Sequence, residues 1–273
     1  MSRVCAPMTE PVRYEQSDHV VTLTLDRPAT RNALTDSDMV DAFARACERA
    51  GADRSVRAVI VTGAGESFSS GGNLKHMRDR EGIFAGDAAQ VRDGYRAGIQ
   101  RLAKMLFELE VPTIAAVNGA AYGAGCDTTL ACDIRIASET AVFAENFVKV
   151  GLISGDGGSW LLPRIVGLSR ACEMAFTGDP VDAATALQWG LVSKVVPAGE
   201  LLAEARRIAA RIAANAPVAV RMTKRLIREA QHARFDSLLE LAASMQGACH
   251  QTRDHREAVQ AFFDKRPPRF TGE

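Results

Sequence analysis

Two periods of hydrophobic spacing run through this chain and divide it unevenly. From Val20 to Asp26, VVTLTLD carries β-branched and apolar residues at a period of two, which predicts a strand. RAVIVTG (Arg57 to Gly63), PTIAAVNG (Pro112 to Gly119) and DIRIAS (Asp133 to Ser138) are short apolar runs that also read as strands. Asp36 to Ala50 shows helical periodicity, with Thr35 or Asp36 as its N-cap. Gln90 to Leu109 reads as one long helix. Beyond about residue 200 the period of two disappears. Leu201–Asn215, Val218–His232, Phe235–His250 and Asp254–Phe263 then read as four amphipathic helices. Strands interleaved with helices imply an α/β core with a mostly parallel sheet. The helical end is a cap or an assembly surface.

Composition narrows the function classes. The 273 residues hold 33 basic and 33 acidic side chains, so no net positive charge points to nucleic acid. No polybasic run points to a membrane surface, and no apolar run approaches the ~20 residues that span a bilayer. MSRVCAPMTEPVRYEQ, at the N-terminus, has no apolar core of a secretory signal. The six cysteines (Cys5, Cys47, Cys126, Cys132, Cys172, Cys249) form no CxxC pair. These features fit reduced thiols and a cytoplasmic protein. The five histidines have no metal-ligand spacing, and no metal site is expected.

Glycines carry the strongest local signal. AVIVTGAGESF begins like a dinucleotide-binding turn, but Phe68 stands where the third glycine is needed. GxxxxGK[ST] and the GxSxG elbow are also absent. What remains is a glycine pair, Gly71–Gly72, in a loop after one strand, and Gly119, Gly123 and Gly125 between another strand and a helix start. Such positions let backbone N–H groups face a ligand, and a helix N-terminus adds about half a positive charge. Two of these donors at one point would stabilise an oxyanion; each turn alone is equally an ordinary strand-to-helix connection. SGDGGSW (Ser154 to Trp160) is a third glycine cluster. Its Asp156 is either the N-cap of a helix beginning near Gly157 or a carboxylate with a chemical role.

Together these segments resemble the enoyl-CoA hydratase/isomerase superfamily, the crotonase fold. The resemblance rests on RPATRNAL (Arg27 to Leu34), FSSGGNLKHM (Phe68 to Met77), IAAVNGAAYGAGCD (Ile114 to Asp127), ACDIRIASETAVF (Ala131 to Phe143), GDGGSWLLPRIVG (Gly155 to Gly167), ALQWGLVSKVVP (Ala186 to Pro197) and the ending DHREAVQAFFDKRPPRF. It implies a spiral of ββα units over residues 12–200 and a helical trimerisation region over 201–273. It also implies trimers or dimers of trimers, acyl-CoA thioester substrates and no cofactor beyond the CoA moiety. By the same resemblance, the N–H groups of Gly72 and Ala124 would form the oxyanion hole. Arg31, Ala33, Leu34, Gly72, Asn73, Leu74 and Lys75 would face CoA. Gly155 matches a family glycine whose N–H holds the reacting water. Phe143, Phe147 and Trp160 would shape the acyl pocket.

The acid/base pair departs from the family pattern. Hydratases of the family use two glutamates; those positions here hold Asp127, shorter by one methylene or roughly 1.5 Å, and Phe147, which cannot transfer a proton. Glu145, Asp156 and His76 are the candidates to fill the gap; for Glu145 the expectation is a surface carboxylate, and for His76 solvent. Three readings stay open. The chain is a hydratase using Asp127 and Asp156, a Δ3–Δ2 enoyl-CoA isomerase with a single carboxylate, or a catalytically weak acyl-CoA-binding member.

Overall fold

The computed structural model describes residues 10–273. Cys5 and the start of the N-terminal segment lie outside the described residues. Among the described residues the strands are β1 (Val12–Ser17), β2 (Val20–Leu25), β3 (Ala58–Gly63), β4 (Ser67–Ser69), β5 (Thr113–Val117), β6 (Ala120–Tyr122), β7 (Ile134–Ser138), β8 (Val142–Ala144), β9 (Val181–Asp182) and β10 (Lys194–Val196). Helices α1 (Ser37–Ala52), α2 (Leu74–Asp79), α3 (Ala88–Ala97) and α4 (Ile99–Glu108) lie in the first half. Then come α5 (Ala124–Ala131), α6 (Gly158–Val166), α7 (Leu168–Thr177) and α8 (Ala183–Trp189). The last four are α9 (Leu201–Ala213), α10 (Pro217–Glu229), α11 (Phe235–Gln251) and α12 (Arg253–Phe263).

The repeat of the spiral is visible in the strand pairing. One sheet runs β1-β2-β3-β5-β7-β10 and the other β4-β6-β8-β9. Each pair of consecutive strands, β3/β4, β5/β6 and β7/β8, sends its first member to the large sheet and its second to the small one. Within each sheet these successive members are parallel neighbours. The chain turns between the sheets on glycines. A Cβ at Gly63 or Gly119 would collide with the backbone at residues 66–68, so the corners close only because these side chains are absent. The central strands β3 and β5 are buried along their length, as parallel strands covered on both faces must be.

Two apolar clusters fill the two faces of the large sheet. The larger joins α1, α4, α5 and α6 to one face. The smaller, Ala58, Ile60, Ile114, Ala116 and Ile136, is covered by Leu201, Ala205 and Ala209 of α9. Although α9 opens the helical end of the chain, it is thus a layer of the core; α10, α11 and α12 lie beyond it. Among the described residues no helix is long and apolar enough to cross a membrane.

Two sequence expectations change. The helix expected over Gln90–Leu109 is two helices broken at Gly98, whose backbone (φ −96°, ψ −113°) leaves the helical region. A Cβ at Gly98 would lie 2.8 Å from the Gly94 carbonyl oxygen, so only glycine fits this bend. The first of the two starts earlier than expected, at Ala88, because Asp87 accepts from Ala89 and Gln90 N–H while Gln90 accepts from Asp87 N–H, a capping box. Strand β1 and the short strands of the second sheet were too exposed or too brief to give a periodic signal.

Gly119→Ala forces the β5–β6 corner against the Glu66 carbonyl. It is expected to lower stability by about 1–3 kcal/mol, seen as a fall in the urea midpoint with an unchanged slope.

Candidate active site

The segment Arg27–Thr35 is folded by one amide. Asn32 is fully buried, with φ +56°. Its Oδ1 accepts from Arg27 N–H at 2.8 Å, and its Nδ2 donates to the carbonyls of Ala64, Ser67 and Phe68 at 3.0, 2.9 and 3.2 Å. Ser69 Oγ then donates to Asn32 O (2.8 Å) and accepts from Gly71 N–H (3.0 Å). Leu34 N–H donates to Gly71 O at 2.9 Å. The sequence segments around Asn32 and Gly71 are thereby locked into one unit.

That unit lies on the first turn of α5. Gly71 has φ +79°, and a Cβ there would sit 3.0 Å from Ala124 N. A Cβ at Gly125 would meet Ser69 O at 2.5 Å. Both glycines are needed for backbone to touch backbone. Among the described residues neither the Gly72 nor the Ala124 N–H has an acceptor in the protein. These two free donors border a cleft of about 350 Å³, which is also lined by Arg31, Ala33, Asn73, Leu74, Lys75, Met77 and Phe147. The cations Arg31 and Lys75 are exposed at its rim. Met77 fills the space beside the Gly72 Cα.

Asp127 is one turn into α5 and 1 % exposed. Its carboxylate is received by the SGDGGSW turn. Ser154 Oγ donates to Oδ2 at 2.9 Å, and Oδ1 lies where a side chain on Gly158 would be. The N–H groups of Asp156 and Gly158 also face this carboxylate, although neither is well aligned on Oδ1. Burial pushes the Asp127 carboxyl up, and the neighbouring Glu145 carboxyl, the Ser154 hydroxyl and the two backbone N–H groups draw it part of the way back.

Asp156 does not cap a helix. Gly157 holds the N-cap position of α6, with φ +116° and no side-chain cap bond. The Asp156 side chain turns inward instead. It is 4 % exposed, its Oδ1 is unpartnered, and its carboxyl is pushed up to about 7 by burial and then by the charge on Asp127. Glu145 is not on the surface either. It is 2 % exposed, with neither carboxyl oxygen hydrogen-bonded. Burial first, then the Asp127 charge, pushes it well above the carboxylate range.

Other expected residues fall elsewhere. Leu34 and Phe143 are fully buried core residues, not cleft lining. Trp160 packs edge-on against Phe107 (5.4 Å) and under the Arg164 guanidinium (3.9 Å), and it does not line the cleft. Gly155 accepts from Gln100 Nε2 through its carbonyl at 2.7 Å. His76 is held at 3.0 Å by Asp36 and at 3.8 Å by Glu81, away from the cleft. Asn32, Met77 and Ser154 were not singled out from sequence. Asn32 alone left a trace, a lone amide inside the RPATRNAL motif.

The model of the enoyl-CoA hydratase/isomerase family matches residues 15–273. The short-chain-enoyl-CoA hydratase of Clostridium acetobutylicum is 38% identical over 258 residues, covering 93% of this chain and 95% of that protein. The 1,2-epoxyphenylacetyl-CoA isomerase of Escherichia coli is 36% identical, covering 93% of this chain and 95% of its own. The crystal structure of enoyl-CoA hydratase from Bacillus anthracis superposes with a TM-score of 0.90 at 34% identity, covering 96% of this chain and all of that one.

A single buried carboxyl with a raised pKa has a signature in stability. Asp156 binds its proton up to about pH 7 when folded but only to about 3.8 when unfolded, so the folded state holds more protons in between and loses stability as pH rises through that window. Asp156→Asn removes this term. Its urea-unfolding free energy is expected to fall less steeply than the wild type's, by about 1 kcal/mol per pH unit across the window.

Proposed function

The chain belongs to the enoyl-CoA hydratase/isomerase family, and on that premise we propose that it adds water across the double bond of a 2-enoyl-CoA thioester. One observation carries this reading. Asp127, Glu145 and Asp156 are buried together beside the helix whose first N–H, on Ala124, is free. Hydration needs one group to take a proton from water and another to supply one to carbon. The replacement by Phe147 removed one of the family's two carboxylates, but this site does not lack a second carboxyl. A single-base isomerase is for that reason the weaker reading.

The thioester oxygen would accept hydrogen bonds from Gly72 and Ala124 N–H. As water oxygen bonds to the β-carbon, electrons move onto that oxygen and an enolate forms. Donors fixed in advance favour this charged state over the ground state. Asp127, held by Ser154 at 2.9 Å, would accept the proton that water loses. Asp156, protonated up to about pH 7, would give its proton to the α-carbon as the enolate collapses; Asp127's proton then restores it. Arg31 and Lys75 at the cleft rim would face the phosphates of CoA, and the scheme uses no cofactor besides CoA.

The helical end fits an assembly role. No residue of α11 is buried, and Ile227, Phe235, Phe262 and Phe263 are all more than 60% exposed. Apolar surface on this scale marks contact with another protein surface, and we infer a homotrimer or dimer of trimers.

Two measurements test these readings. The pure protein is offered crotonyl-CoA and a 3-enoyl-CoA. Crotonyl-CoA should be hydrated, with kcat lower by about 10²–10⁴ in Asp127→Asn and KM little changed; turnover of the 3-enoyl substrate alone would mean an isomerase. Light scattering should give a mass of three or six chains, and a monomer would refute the assembly.

A further inference from the structure

Glu145 stands outside the scheme above, yet its carboxyl is among the most buried charges in the described chain. Strand pairing puts it there. Tyr122 and Ala144 are partners across β6 and β8, and Gly123 N–H donates to Ala144 O at 2.8 Å. The residue after Ala144 therefore enters beside the first turn of α5. The chain bends at Glu145 (φ −92°, ψ 58°) into a 3-10 turn, which sends Phe147 to Gly123 at the cleft and leaves Glu145 inside.

Four carboxyl oxygens are buried here without a donor: Glu145 Oε1, Glu145 Oε2, Asp127 Oδ1 and Asp156 Oδ1. An unpaired buried oxygen of this kind is rare and expensive. The groups facing Glu145 are the carboxyls of Asp127 and Asp156 and the Cys126 thiol; those facing Asp127 are Glu145, the Ser154 hydroxyl and two backbone N–H groups. None of these is a cation. Among the described residues no set of three such side chains is arranged to hold a metal ion. One proton on one carboxyl supplies the missing donor to the other. The donors are unequally divided, because Asp127 already receives Ser154 Oγ and faces backbone N–H groups, whereas Glu145 has only a thiol. The proton therefore belongs on Glu145.

We propose that Glu145 is a positioning residue whose protonated carboxyl donates a hydrogen bond to Asp127 Oδ1, keeping Asp127 ionised and aimed. It rests on the reading of Asp127 as the group that takes the proton from water. Glu145 acts through Asp127 and need not touch substrate. The bend at Glu145 turns Phe147 to Gly123 and leaves Glu145 inside, where it is a support for the family carboxylate position that Asp127 retains.

The test follows Asp127 by 13C NMR in the substrate-free, aspartate-labelled full chain, titrated from about pH 4 to about pH 9. The wild type is compared with Glu145→Gln and Glu145→Leu. In the wild type the Asp127 resonance should report its own step, that of Glu145 and, near pH 7, that of Asp156, which the Asp156→Asn chain identifies by its absence. Glu145→Gln keeps a donor but cannot titrate, so the Glu145 step should vanish while the Asp156 step remains, and Asp127 should stay ionised at neutral pH. Glu145→Leu removes the donor, and the Asp127 midpoint should rise by about one unit or more above that of Glu145→Gln. With substrate, kcat should stay within a few-fold in Glu145→Gln and fall about 10- to 100-fold in Glu145→Leu. The same set of steps in wild type and Glu145→Gln overturns the proposal, and so do equal Asp127 midpoints in the two variants. If Glu145→Leu does not fold, the loss or retention of the Glu145 step decides alone. Because the titration needs no turnover, a failed hydratase reading leaves this result standing on its own.

Discussion

Backbone meets backbone where the Gly71 turn rests on the first residues of α5, and the site is organised around that contact. Gly71 and Gly125 have no Cβ because Ala124 N and Ser69 O occupy the space. The approach brings two free N–H groups to one cleft without any side chain between them. Everything upstream serves to hold it. Asn32 spends both ends of its amide on loop backbone, and Ser69 bridges that loop to Gly71. A buried amide with four partners is a rigid fixture, since losing any one leaves a polar atom stranded. Donors so fixed need no reorganisation when charge develops on an oxygen between them.

Desolvation governs the other half of the site. Three carboxyls near one another in a place with no facing cation cannot all be ionised. The fold answers with unequal environments. Asp127 receives a hydroxyl and looks toward backbone N–H groups, Asp156 keeps an unpartnered oxygen, and Glu145 has none of these donors. Environments that separate neighbouring carboxyls in this way assign acid and base roles. The glycine-rich turn at 154–158 is part of that arrangement. Gly158 leaves the room that Asp127 Oδ1 fills, and Ser154 supplies its hydrogen bond.

Much of the fold was legible because its signals are local. The buried strands β2, β3, β5 and β7 are short apolar runs, and α9, α10 and α12 carry a clear 3.6 period. The family resemblance of the motifs around Gly72 and Ala124 pointed to the two free donors, whose backbone N–H groups survive any choice of neighbouring side chain. What escaped was what depends on contacts distant in sequence. The break at Gly98 follows from crowding at Gly94 within a helix whose apolar pattern continues unbroken. Asp156 matched the composition of a helix cap, but capping depends on where the side chain turns, and Gly157 had already started the helix. The roles of Met77, Ser154 and Trp160 are set by which elements they meet, and periodicity does not record that.

Glu145 shows where such reasoning reaches its limit. Two residues apart in an extended segment, Glu145 and Phe147 would share a face, and one would be a plausible replacement for the other. The strand ends at Ala144, and the bend at Glu145 separates them. Phe147 is then free to line the cleft as an apolar wall while Glu145 is drawn in beside Asp127. A site that loses a carboxylate at its wall keeps its chemistry only if the remaining one stays ionised despite burial. Burial alone works against that, as the direction of the Asp127 shift shows. A protonated neighbour offsets it without adding charge, whereas an arginine or lysine at the same place would need counter-charges of its own in a region already without solvent. A second carboxyl beside the first is therefore not redundant, because its own desolvation keeps it protonated and so able to supply a donor without adding charge.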